Sequence, residues 1–119
     1  MKIAVTAQGT GKDSPVDERF GRAKHFVIYD TEAGEYTAVD NTMNMNAMQG
    51  AGIQSGENMT NAGVNVVLTG HVGPKAFRTL TAAGITIATG ITGTVEDAVE
   101  AWKAGTLQVT GGPDVQAHW

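Results

Sequence analysis

Residues Asp17–Asp40 read DERFGRAKHFVIYDTEAGEYTAVD. Lys24–Asp30 is an apolar, β-rich run, Thr31–Gly34 is a turn, and Glu35–Asp40 is a second β-rich run. Two such runs around a Gly-containing turn predict a β-hairpin. Working outward, Lys2–Ala7 reads as a strand before it, and Gln8–Glu18, with Gly9, Gly11 and Pro15, as a polar loop. After it come a loop at Asn41–Asn46, a helix over Ala47–Asn61 and a strongly apolar strand at Val64–Thr69. In that helix Met48, Ala51, Ser55, Met59 and Ala62 fall near one face. Gly50, Gly52 and Gly56 each weaken it by about 1 kcal/mol relative to Ala, so packing must hold it. A second helix begins at Gly73-Pro74 and ends at Gly84, followed by a strand at Ile85–Ala88. Thr94 caps a third helix with Asp97 in a capping-box arrangement, Val95, Ala98 and Trp102 form its apolar stripe, and Gly105 ends it.

The order βββαβαβα fixes most of the topology. Helix-linked strands run parallel through right-handed connections. The expected fold is α/β: a five-stranded mixed sheet of order 3-2-1-4-5, strand 2 antiparallel, flanked by three helices. Residues 1–109 form one domain, and 110–119 read as a loosely held tail. Five loops then converge on one sheet edge: Gln8–Pro15, Arg19–Lys24, Asn41–Met48, Gly70–Lys75 and Thr89–Gly93. In open α/β sheets ligands bind at this edge.

Composition narrows the chemistry. The chain has 119 residues and a formal net charge of −4, yet Arg19, Arg22 and Lys24 cluster around Gly21. A local cationic cluster on an acidic protein suits a small anion, whereas nucleic acid usually needs a broad basic face. No apolar run approaches the ~18–20 residues that span a bilayer, and Lys2 is followed by only a short apolar run, so the expectation is a soluble, cytoplasmic protein without membrane or nucleic-acid partners. There is no cysteine, which removes disulfides, thiolate metal sites and thiol catalysis. No catalytic triad or nucleophile elbow is present either, and the expectation is a non-enzyme.

Three constellations remain. Arg19-Phe20-Gly21-Arg22 offers guanidinium forks for an anion, with Gly21 allowing close backbone approach; the plain alternative is a pair of solvated arginines bridged to Asp17 or Glu18. Gly70-His71-Val72-Gly73-Pro74-Lys75 opens a helix whose first amides favour an anion, although it lacks a Walker A ending. His71 there is a candidate metal ligand, a proton donor or an ordinary loop residue. Met43, Met45 and Met48 supply thioethers that suit soft metals or irregular apolar surfaces, or else simply seal the core.

Several segments together resemble the dinitrogenase iron–molybdenum cofactor biosynthesis family. They are the start MKIAV, RFGRA at Arg19–Ala23 leading into FVIYD, AGVNVVLTG at Ala62–Gly70 with VGPKA after it, and GTVEDAV at Gly93–Val99. The resemblance covers about residues 1–107. It implies a ribonuclease-H-like fold without nuclease activity, and a role in binding or carrying metal–sulfur clusters. The short, cysteine-free chain is similar to family members that hold a mixed molybdenum–copper sulfide cluster noncovalently. Such a cluster is anionic and brings its own sulfides, which makes the lack of cysteine intelligible. Because they fall on one predicted edge, the residues expected to hold such a cluster are Arg19, Arg22 and Lys75 for charge; Phe20, Gly21, Gly70, Val72 and Gly73 for close approach; Met43, Met45 and Met48 for soft contact; and Asn41, Asn44 and His71 for hydrogen bonds, with no family histidine matched to His71. Many family members carry His-Phe-Gly where this chain has Arg19-Phe20-Gly21, which favours electrostatic holding over direct metal ligation. A phosphate-binding enzyme or sensor using Gly70–Lys75 is the competing expectation, and a ligand-free domain that docks protein partners is a third.

Overall fold

The computed structural model describes residues 1–42 and 51–112. The elements are β1 (Lys2–Ala7), β2 (His25–Asp30), β3 (Glu35–Asp40), α1 (Ala51–Asn61), β4 (Val66–Leu68), α2 (Pro74–Ala82), β5 (Thr86–Ala88) and α3 (Val95–Lys103). They form one sheet of order β3-β2-β1-β4-β5. β2 runs antiparallel to β1 and β3, and β4 is parallel to β1 and β5. The expected sheet order and strand directions are those observed.

Local signals start α2 and α3, whereas packing holds α1. α2 starts with Pro74 at its first position, where a missing N–H costs nothing, after Gly73 in extended conformation. α3 has the full capping box: the Thr94 hydroxyl accepts from the Asp97 amide at 3.2 Å, and the Asp97 carboxylate accepts from the Thr94 amide at 3.1 Å. Gly105 (φ 74°) takes the left-handed conformation after α3, and its amide donates to the Trp102 carbonyl. α1 keeps its glycines because α2 sits too close for anything larger. A Cβ at Gly52 would stand 3.1 Å from the Ala76 Cβ, and one at Gly56 2.9 Å from the Thr79 methyl.

Alternation along the strands divides the core in two. Ile3, Val5, Ala7 and Val27 face α3, where they meet Val95, Ala98 and Val99. Ala4, Phe26, Ile28 and Val67 face α1 and α2, where they meet Met59, Ala76 and Leu80. Burying each large aliphatic or aromatic side chain contributes roughly 1.5–3 kcal/mol. Thr110, which the sequence placed in the tail, is tied to β5: its amide donates to the Ile87 carbonyl at 2.7 Å.

Candidate functional site

The register puts the expected loops on one edge. Ala7 stands opposite His25, His25 opposite Asp40, Val5 beside Leu68, and Leu68 beside Ala88. The chain therefore leaves β1, β3, β4 and β5, and joins β2, on the same side of the sheet.

Backbone hydrogen bonds stitch these loops together. The His71 amide donates to the Glu18 carbonyl at 2.6 Å, and the Phe20 amide donates to the His71 carbonyl at 3.2 Å. Arg19 and His71 thus pair like residues of parallel strands. The Gly90 amide donates to the Gly70 carbonyl at 2.8 Å and the Val16 amide to the Gly93 carbonyl at 2.9 Å. In the interior below, the Thr6 hydroxyl donates to the Asp17 carbonyl at 2.6 Å and is hydrogen-bonded to the Thr69 hydroxyl at 2.9 Å.

Within this frame Phe20 points inward and the charges point out. Phe20 is 2 % exposed, and its ring centroid lies 5.3 Å from that of Phe26. Arg19 is exposed and Arg22 half-buried, on either side of that anchor. The Asp17 carboxylate accepts from the Arg19 backbone amide at 3.1 Å; among the described residues no carboxylate forms an ion pair with the Arg19 guanidinium. Lys24 and Lys75 are exposed. Arg19, Arg22, Lys24 and Lys75 thus gather on one edge of an acidic chain, interleaved with Asp17, Glu18 and Asp40, with α2 starting beside them.

The starts of α2 and α3 differ. No side chain caps α2. At α3, besides the capping box, the Val95 amide donates to the Ser14 carbonyl at 3.0 Å and the Glu96 amide to the Lys12 carbonyl at 2.9 Å. The first turn of α3 is already satisfied by the chain itself, so its dipole serves the fold.

Five expected contact residues turn out to hold the loops. Phe20 and Val72 are core residues, at 2 % and 1 % exposure. At Gly70 a Cβ would lie 2.6 Å from the Glu18 Cα and 2.7 Å from its carbonyl oxygen, so this glycine admits the neighbouring loop, not a ligand. At Gly21 a Cβ would lie 2.8 Å from the Gly52 amide nitrogen; the close approach is to α1. Asn41 is buried, and its amide nitrogen donates to the Ala23 carbonyl at 2.8 Å. Its donors face protein carbonyls, not the open edge. Arg19, Arg22, Gly73, Lys75 and the half-buried His71 remain on the edge. Met43, Asn44, Met45 and Met48 lie outside the described residues.

Sequence reasoning missed Ser55, whose hydroxyl donates to the Asn41 side-chain oxygen at 3.1 Å. The signal was available: a serine on the apolar face of α1 must find a polar partner. Among the described residues, no three His, Asp or Glu side chains converge to hold a metal ion, and no helix is long and apolar enough to cross a membrane.

Known proteins share this fold. The apo form of the orange protein from Desulfovibrio gigas superimposes with a TM-score of 0.93 at 42 % identity, over 96 % of each chain. A NifB-like protein from Thermotoga gives a TM-score of 0.80 at 36 % identity, over 91 % of each chain. An uncharacterized protein of Methanocaldococcus jannaschii is 29 % identical across 91 % of this chain and 90 % of its own length. The family model of the dinitrogenase iron–molybdenum cofactor matches residues 1–105, and the chain belongs to that family.

Proposed function

We propose that this protein binds and carries a preformed, anionic metal–sulfide cluster on the loop edge of its sheet, without catalysing a reaction. The observation that carries the reading is the placement of Arg19 and Arg22 on either side of buried Phe20, on a chain of net charge −4. The 42 % identity with the orange protein and the family match support a cluster-carrying role, and the resemblance read from the sequence favours mixed molybdenum–copper sulfide as the cargo. The donor set fits such cargo. A bare cation would need convergent ligands and would be repelled by arginines, whereas a sulfide-coated anion needs charge and N–H donors. In this reading Arg19 and Arg22 supply the forks, Lys75 adds charge, and His71 contributes a ring N–H donor. A cytoplasmic location, where sulfide clusters are assembled and handed to partner proteins, suits this role.

The test is reconstitution. The apo-protein is mixed with tetrathiomolybdate and copper, desalted, and examined by visible spectroscopy and metal analysis. Retained charge-transfer bands with molybdenum and copper in fixed ratio are expected. A colourless, metal-free protein overturns the assignment. In the Arg19→Ala/Arg22→Ala protein the affinity should drop by about 10–100-fold, from hydrogen bonds to charged groups worth about 1.5–3 kcal/mol each before solvent screening. Unchanged affinity removes the electrostatic argument. Inorganic phosphate is the control: thermal stabilisation by phosphate but not by thiometallate would point to the α2 start as a phosphate site.

A further inference from the structure

Asn41 joins three parts of the molecule through hydrogen bonds: the end of β3, the loop that carries Arg22, and α1. It follows β3 directly, is 2 % exposed, and its side chain has two distinct polar ends. The amide nitrogen donates to the Ala23 carbonyl at 2.8 Å and lies 3.5 Å from the Gly21 carbonyl. The side-chain oxygen accepts from the Ser55 hydroxyl of α1 at 3.1 Å. Its backbone amide donates to the Lys24 carbonyl at 2.8 Å. Arg22 lies between the two carbonyls that face the Asn41 nitrogen. The other end of the same loop is clamped by His71, through the Phe20 amide at 3.2 Å.

From this geometry we infer that Asn41 is a positioning residue that sets the backbone of Arg22 and couples the cationic loop to α1. The functional meaning of the coupling rests on the cluster-holding reading; the coupling itself does not. The chemistry singles out asparagine. Aspartate of the same shape has no N–H for the Ala23 carbonyl, and serine or alanine leaves that carbonyl buried without a partner. Ser55 fixes which way the amide points, so a change in α1 reaches the loop through one side chain.

Two measurements test this. The first is amide hydrogen exchange on the apo-protein. Ser55→Ala should speed exchange at the Asn41 and Phe20 amides, the hydrogen bonds at the two ends of the loop, by roughly 5–10-fold relative to the core strands, although Ser55 bonds to neither. Asn41→Ala should do so more strongly. Acceleration confined to α1, or uniform across the chain, overturns the coupling. The second is retention of the reconstituted tetrathiomolybdate–copper cluster after desalting. Asn41→Ala should shorten the retention half-time about 10-fold in the native background and less than about 2-fold in the Arg22→Ala background. Equal shortening in both backgrounds overturns action through Arg22. A native protein that retains no cluster overturns the cluster-holding reading, and the exchange measurement then decides the coupling alone.

Discussion

Glycines with the same name do opposite jobs in this chain. Gly34 has φ 70° with nothing near its absent Cβ, so it serves turn conformation only. Gly70 has no such backbone requirement, but backbone atoms of Glu18 fill the space a Cβ would occupy. Gly34→Ala should therefore destabilise by about 1–2 kcal/mol, the cost of a left-handed non-glycine residue. Gly70→Ala forces two loops apart and should cost at least about 2–3 kcal/mol. Urea midpoints of the two variants measure the difference, and equal losses would contradict it. The residue scale is also where sequence reading fell short. Arg19 and Lys75 are legible as surface charge because charge resists burial. Asn41, Phe20 and Val72 are not legible: a polar residue beside a strand looks like a ligand donor until the carbonyls facing it are known, and an aromatic between two arginines looks exposed until its partner, Phe26, is seen 5.3 Å away.

At the scale of elements, the sequence was more informative. Among the described residues, turn residues, caps and apolar periodicity located the five strands and the helices at Pro74–Ala82 and Val95–Lys103 within a few residues, because each signal is local: Thr94 with Asp97, Pro74 at a helix start, Gly105 at a helix end. The strands at Val66–Leu68 and Thr86–Ala88 came out shorter than their apolar runs, since burial continues past the last ladder hydrogen bond. The β2–β3 hairpin carries a pH signature. The Ala33 and Glu32 amides donate to the Asp30 carboxylate and hold its pKa below the ordinary value. Its folded-state pKa is depressed, so the contribution to stability is present above the ordinary carboxylate range and is lost as pH falls through the lowered value. Asp30→Asn keeps the acceptor but removes the charge. Its urea midpoint should decline less than that of the native chain between about pH 5 and pH 2. Parallel decline in both proteins would refute the assignment.

For the whole molecule, charge placement decides behaviour more than charge total. A chain of net charge −4 repels an anionic cluster at a distance and attracts it only close to the loop edge. Raising ionic strength from about 0.1 M to 1 M shortens the screening length from about 10 Å to 3 Å. Thiometallate binding by the native protein should weaken several-fold over that range, and much less in Arg19→Ala/Arg22→Ala. Identical salt slopes would show that the arginines do not set the attraction.

The position of β1 in the sheet has its own outcome in time. The strand at Lys2–Ala7 is made before the other four and is the central one, and one of its flanks is filled by residues 25–30. The other flank waits for Val66–Leu68, and the His71 backbone that clamps Arg19 arrives only after that. Contacts this far apart in sequence form late. A chain that has not yet reached His71 carries its arginines on an unfinished half-sheet, so the loop edge closes only once both flanks of β1 are filled.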